Sequence, residues 1–269
     1  MDRPDWAPEG IDLTRPSVAR AYDYWLGGSH NFAIDRDWAR QVLAAVPDLR
    51  LMAQANRAFL HRAVRFMVDQ GVRQFLDIGS GIPTVGNVHE IAQRAAPGSR
   101  VVYVDIDPVA VAHSEQILKG EPGAAVIMAD LRQPSAVLTH RATRALLDFD
   151  RPVGLLLCSV LHAIPDADDP YGMVRELVKP LPPGSYVAIS HGTLDDLVEE
   201  ADEMTELAGR TTTPITGRPR AEVERFFAGL ELVEPGLVWS VLWRPEEPDE
   251  TFERPGRSGF YAGVARVPG

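Results

Sequence analysis

The chain has 269 residues, 45% apolar and 24% charged, which is the balance of a globular protein with a sizeable core and not that of a disordered chain. Its net charge of −11, with no dense Lys/Arg run to offset it, opposes nucleic acids and anionic membranes as partners and leaves a small-molecule substrate as the better fit. Cys158 is the single cysteine, which excludes an internal disulfide and a cysteine zinc cage. The polar start from Met1 to Pro16 and the lack of any apolar run near the roughly 18 residues of a membrane span make a cytoplasmic location the expectation.

Residues 1–71 read as an N-terminal helical extension and 72–269 as one α/β domain. In the extension a short helix is predicted over Ser17–Leu26, broken by Gly27-Gly28, and a second from Asp35 or Arg36 to Val46, closed by Pro47. A third runs from about Ala53 to Asp69, with Phe59, Leu60, Ala63, Phe66 and Met67 at helical spacing. Strands are then predicted at Arg73–Ile78, Arg100–Asp105, Ala125–Ala129, Val153–Ser159 and Ser185–Ser190, with helices between them that include one begun by Asp107-Pro108 and one by Asp169-Pro170. This alternation argues for a mostly parallel sheet covered on both faces. Thr193 and Asp196 form a capping box for a helix through Met204. A last helix is expected near Ala221–Ala228. Leu237–Trp243 and Gly259–Val267, joined by a polar, Pro-rich loop, should be antiparallel neighbours.

The stretch Phe75-Leu76-Asp77-Ile78-Gly79-Ser80-Gly81-Ile82-Pro83-Thr84 is the most informative. A buried strand runs into a turn where Gly79 and Gly81 let the backbone approach a ligand. Asp77 can accept from a cationic amino group but would repel a pyrophosphate, and Thr84 stands where the dinucleotide fingerprint needs a third glycine. Asp105, ending the second strand, is placed to take both hydroxyls of a ribose, and Asp130, ending the third, to receive the exocyclic amine of an adenine. Asp107 reads as a helix cap. Arg20 or Arg57 is the expected partner of a ligand carboxylate, as a guanidinium fork allows, and Tyr22, Trp25 and Phe32 are candidate pocket aromatics.

These residues resemble the class I S-adenosylmethionine-dependent methyltransferases. The resemblance extends to an actinobacterial family of S-adenosyl methyltransferases first defined as a domain of unknown function, through Ala19-Arg20-Ala21-Tyr22-Asp23-Tyr24-Trp25-Leu26-Gly27-Gly28, Asn56-Arg57-Ala58-Phe59-Leu60, the glycine turn, Val102-Tyr103-Val104-Asp105-Ile106-Asp107-Pro108, Ala129-Asp130-Leu131-Arg132 and Val160-Leu161-His162-Ala163-Ile164. It implies a Rossmann-like fold with a seven-stranded, mostly parallel sheet whose last strand is antiparallel. It also implies S-adenosyl-L-methionine as cofactor, with contacts from Asp77, Gly79, Gly81, Asp105 and Asp130 and from Ile106 and Leu131 beside the two acids. The substrate and the oligomeric state stay open.

Methyl transfer needs alignment above all, but an alcohol or amine acceptor also needs somewhere to send a proton. His162 and His191, after the fourth and fifth strands, are the candidate general bases, and His30 is a third. No metal centre is expected, because Asp166, Asp168 and Asp169 read as a loop and a helix cap. A small-molecule methyltransferase is the leading reading. A non-catalytic cofactor sensor is the alternative, and a nicotinamide oxidoreductase fits Asp77 and Thr84 poorly.

Overall fold

The computed structural model describes residues 11–83, 86–213, 215–247 and 251–269. Thr84, most of Met1–Pro16 and part of the 245–257 loop lie outside the described residues. Three helices come first, α1 (Val18–Trp25), α2 (Ala33–Ala45) and α3 (Leu49–Asp69). Strands and helices then alternate as β1 (Gln74–Ile78), α4 (Val88–Ala95), β2 (Arg100–Asp105), α5 (Pro108–Ile117), β3 (Ala124–Met128), α6 (Pro134–Thr139), α7 (Arg141–Leu146), β4 (Gly154–Cys158), α8 (Pro170–Val178) and β5 (Tyr186–Gly192). The chain ends with α9 (Ala201–Ala208), α10 (Arg220–Glu224), β6 (Glu231–Leu232), β7 (Val238–Trp239) and β8 (Phe260–Arg266).

The sheet order is β3-β2-β1-β4-β5-β8-β6, with β7 also paired to β8. Strands β1 to β5 are mutually parallel, β8 runs antiparallel to β5, and β6 and β7 run antiparallel to β8. This is the expected Rossmann-like plan, with its outermost strand split in two. Asp107 caps α5 by accepting from the Val109 N–H at 2.8 Å, and Asp169 caps α8 by accepting from the Gly172 N–H at 2.9 Å, as their Asp-Pro sequences predict.

Alternation along the strands decides which residues can form a site. Leu76, Val102, Leu155 and Val187 pack into a core covered by α6, α8 and α10. Phe75, Val101, Tyr103, Leu156 and Ala188 point the other way, into a core formed with Phe59, Ala63 and Met67 of α3 and with Val88 and Ala92 of α4. Because side chains alternate with period two, Asp77, Asp105 and Cys158 share this second face, under α3. Packing therefore does not change at residue 71: α3 is a layer of the sheet's own core. The separate unit is smaller, with α1, α2 and the start of α3 forming their own cluster with Leu197, Leu207 of α9 and Phe260.

Two other expectations need correction. The Leu237–Trp243 strand stops at Trp239, because Trp243 turns inward to a fully buried seat against Phe59 and Phe66. Arg62 of α3 fixes that turn by donating to the carbonyls of Trp243 and Ser240 at 2.8 and 2.7 Å. The helix expected from Thr193 begins only at Ala201. Thr193 Oγ1 accepts from the Asp195 N–H in a local turn, while Asp196 faces Arg254 at 3.2 Å, so neither side chain completes the box.

The α1–α2 unit is locked by Asp35, which is fully buried and accepts from the N–H groups of Ser17 and Phe32 and from Arg20 Nε, all at 2.8–2.9 Å. Truncating it leaves a buried guanidinium without its main partner. Asp35→Ala is expected to cost about 3–5 kcal/mol of unfolding free energy, measured by urea denaturation, whereas a loss below about 1 kcal/mol would contradict a structural role for the pair.

Candidate active site

The strand order reverses direction between β1 and β4, where an open α/β sheet forms its crevice. Gly79 and Gly81 follow β1 with φ of +72° and +68°, a conformation that favours glycine. Their surroundings differ. A Cβ on Gly79 would collide with Val160, so this glycine serves the close packing of the turn after β4, whereas a Cβ on Gly81 would meet nothing within 4 Å. The Gly81 N–H donates to one oxygen of Asp105 at 2.7 Å and the Asp107 N–H to the other at 2.8 Å. These bonds fix the carboxylate plane and leave each oxygen a further lone pair. Burial pushes Asp105 up to about 6, against the opposing pull of the two amides.

Asp77 is buried and receives no hydrogen bond from the described residues. Burial pushes its carboxyl up to about 7; Arg57 opposes the shift and Asp105 adds to it. Arg57 lies on α3, above this face. Its guanidinium makes no ion pair or hydrogen bond among the described residues, and its Nε is buried and unpartnered. Asn56, beside it, donates to the Tyr22 hydroxyl at 3.0 Å and keeps a buried, unpartnered Oδ1; the Ser80 hydroxyl is likewise unpartnered.

The other predicted residues fall elsewhere. Arg20 is 3% exposed and engaged by Asp35 at 2.8 Å, Asp107 at 3.5 Å and the carbonyls of Asp12 and Arg15, which leaves no free fork for a ligand carboxylate. It stands behind Asp107, which holds Asp105. Ile106 is 54% exposed next to Asp105, and Met128, paired with Asp105 in register, is 64% exposed. Asp130 is held by Arg132 through both oxygens at 2.7–3.0 Å and, although burial opposes it, these bonds keep its carboxyl below the usual range. The Leu131 side chain is part of the core. Phe32 packs with Ile82 and Val109 instead of lining a cavity with Tyr22 and Trp25.

The two histidines after the strands are buried and neutral. Burial, with Arg218 nearby, pulls His162 down to about 4, and its Nδ1 accepts from the Gly192 N–H at 3.3 Å, so its proton sits on Nε2. His191 is engaged at both nitrogens: Arg218 donates to Nε2 at 3.0 Å, which requires Nδ1 to donate to the Gly192 carbonyl at 2.7 Å. It has no nitrogen left for a substrate. Arg218, in the segment between α9 and α10 where no sequence motif marks it, is fully buried and also ties down the carbonyls of Leu161 and Ile164 and the carboxylate of Asp166. The His30 ring packs against His113, with centroids 3.5 Å apart.

A family model described as S-adenosyl methyltransferase matches residues 4–268. The chain belongs to that family. A DUF574 family protein from Streptomyces avermitilis is 40% identical, with a TM-score of 0.92 over 96% of this chain and 99% of that one. A protein from Thermobifida fusca described as a methyltransferase is 38% identical, with a TM-score of 0.92 over 99% and 100% of the two chains. The N-methyltransferase NodS from Bradyrhizobium japonicum, in complex with S-adenosyl-l-homocysteine, shares the fold at 14% identity and a TM-score of 0.50, over 93% of this chain and 100% of that one. No curated protein matches the chain.

The protein is thus an S-adenosylmethionine-dependent methyltransferase, and its residues fit that cofactor. Open space above Gly81, an unpaired carboxyl at Asp77, an orphaned guanidinium nitrogen at Arg57 and the exposed Ile106 offer complements to a zwitterion on a nucleoside. Among the described residues no cluster could hold a metal ion, and no helix is long and apolar enough to cross a membrane.

A cationic amino group pairs only with ionised Asp77, whose carboxyl is pushed up to about 7. An amino group seated there would therefore expel a proton on binding below that pH. Affinity for S-adenosylhomocysteine is expected to rise from about pH 5.5 to 7.5, with proton release, and Asp77→Asn to flatten the upper half of the profile. Calorimetry in buffers of different ionisation enthalpy reads both; an affinity that is flat or falls with pH contradicts the assignment.

Proposed function

We propose that this methyltransferase acts in the cytoplasm on a small molecule held beneath its N-terminal helices. The observation that supports it is a cavity of about 130 Å³ between α1, α2, α9 and the turn after β4. Ser159 and His162 of that turn line it, and Val160 between them packs on Gly79, so cavity and glycine turn share a wall. Tyr22 lines it too, hydrogen-bonded to Asn56 beside Arg57.

When bound, S-adenosylmethionine supplies a methyl group on a sulfonium, which leaves alignment as the main catalytic task. In this reading Asp77 pairs with the amino group and Arg57, in place of Arg20, with the carboxylate. Asp105, held by two amides, accepts from the ribose hydroxyls. Ile106 lies against the base, Gly79 and Gly81 let the chain pass close, and Leu131 contributes its backbone. Asp130 receives the adenine amine once Arg132 swings aside, because an exposed pair of this kind is worth only about 0–1 kcal/mol. His162 positions the acceptor by donating from Nε2. With its affinity for protons so reduced, it is a poor general base, and His191 is a support for the wall.

Incubation with labelled methyl donor and fractionated cell extract tests the reading: label is expected in the low-mass fraction. Label confined to protein or nucleic acid contradicts the small-molecule acceptor, and no transfer at all favours a cofactor sensor. For the cofactor residues, Arg57→Met is expected to weaken S-adenosylhomocysteine binding by about 1.5–3 kcal/mol while the free protein keeps most of its melting temperature, because among the described residues the guanidinium has no hydrogen bond or ion pair to lose. Unchanged affinity by calorimetry contradicts its role.

A further inference from the structure

Resting on the small-molecule reading, we infer that the methyl acceptor is an uncharged, largely apolar molecule of about one aromatic ring, carrying a single hydrogen-bond-accepting end that meets His162 Nε2–H.

The lining carries the argument. No Asp, Glu, Lys or Arg lines the cavity among the described residues, and its lining includes Trp25, Trp38, Met52, Leu197 and Phe260. The polar atoms of that wall are already engaged by the protein itself. The indole N–H of Trp25 donates to the Ala39 carbonyl at 3.2 Å and that of Trp38 to the Leu207 carbonyl at 2.9 Å. The Tyr22 hydroxyl donates to the Ala53 carbonyl at 3.0 Å, the Thr205 hydroxyl to the Ala201 carbonyl at 2.8 Å, and Thr193 Oγ1 accepts from the Asp195 N–H at 3.2 Å. Among the described lining side chains, the donors left without an acceptor are His162 Nε2–H and the Ser159 hydroxyl, both on the turn that touches Gly79, and the O–H of Thr193, which follows the Gly192 bonded to His162.

A ligand in this space meets polar side-chain hydrogens on the side of the turn after β4, next to the cofactor crevice, and a mostly apolar lining elsewhere. An ionic group would lose its hydration with nothing of opposite charge to replace it, a cost that a buried unpaired charge does not recover. Aromatic walls favour a ring that can make edge-to-face contacts. The volume, about 130 Å³, is close to the ~150 Å³ of an apolar cavity that admits benzene. The polar end is recognised as an acceptor, because the Gly192 N–H on Nδ1 leaves His162 its proton on Nε2.

The test uses the full chain saturated with S-adenosylhomocysteine, titrated calorimetrically with three probes of one size: 4-methylphenol, benzoate and benzylammonium. The neutral probe is expected to bind at least about tenfold tighter than either ion. Met204→Trp, which fills the cavity from α9, is expected to weaken 4-methylphenol about tenfold or more while S-adenosylhomocysteine affinity is kept. Thr205→Phe, on the same helix, serves if the first variant does not fold. His162→Phe is expected to erase the preference for 4-methylphenol over toluene. Ions that bind as well as the neutral probe, a saturated protein that takes none of the three, or filled variants that bind 4-methylphenol as before would overturn the inference. Failure of S-adenosylhomocysteine to bind the wild type would instead count against the cofactor assignments.

Discussion

Burial of the Asp77 carboxyl near the end of β1, with no hydrogen-bond donor supplied to it by the described residues, raises the cost of ionising it. Arg57, whose positive charge opposes that cost, is itself left with an unpartnered buried Nε among the described residues. Two incompletely satisfied groups on facing elements are unfavourable for stability alone, and such groups concentrate at functional sites. A ligand with an ammonium and a carboxylate on one carbon satisfies both at once. The arrangement depends on α3 lying over one face of the sheet, which the buried Trp243 and the Arg62 bonds to the Ser240 turn secure from the far side.

The α1–α2 unit is tied to the same site by electrostatics. Arg20 joins Asp35 of α2 to Asp107, Ser17 adds its hydroxyl to Asp107 at 2.7 Å, and the Asp107 N–H holds Asp105. Any movement of the helices above the cavity therefore reaches the Asp105 carboxylate through one residue. On the opposite wall Arg218 gathers the turn after β4, His191 and Asp166 into a single rigid support. Rigid walls of this kind suit a reaction whose main demand on the protein is alignment.

The parts legible in the sequence are those with local causes. Short apolar strands, the Asp-Pro helix starts and the glycine turn carry their instructions within a few residues, and the core strands and α5 and α8 follow them. Asp105 could be placed because it ends a strand next to that turn. The sequence could not separate Arg20 from Arg57: both are arginines on N-terminal helices. Their surroundings diverge only because Asp35 and Asp107 converge on the first, while α3 sets the second on the face shared by Asp77. The engagement of the histidine nitrogens was not legible for a similar reason, since Arg218 and Gly192 reach them from other segments. At Thr193 and Trp243 tertiary packing overrode local pattern, as it commonly does for weak local signals.

The central claim is that Asp77 and Arg57 together receive the two charged groups of the cofactor's amino-acid end. A crystal structure of the protein bound to S-adenosylhomocysteine tests this most directly. The account predicts the amino group within hydrogen-bond distance of the Asp77 carboxylate and the carboxylate paired with the Arg57 guanidinium, with Arg20 still on Asp35 and Asp107. A complex in which Arg57 stays unpaired and the carboxylate is held by Arg20 or by other residues would contradict it.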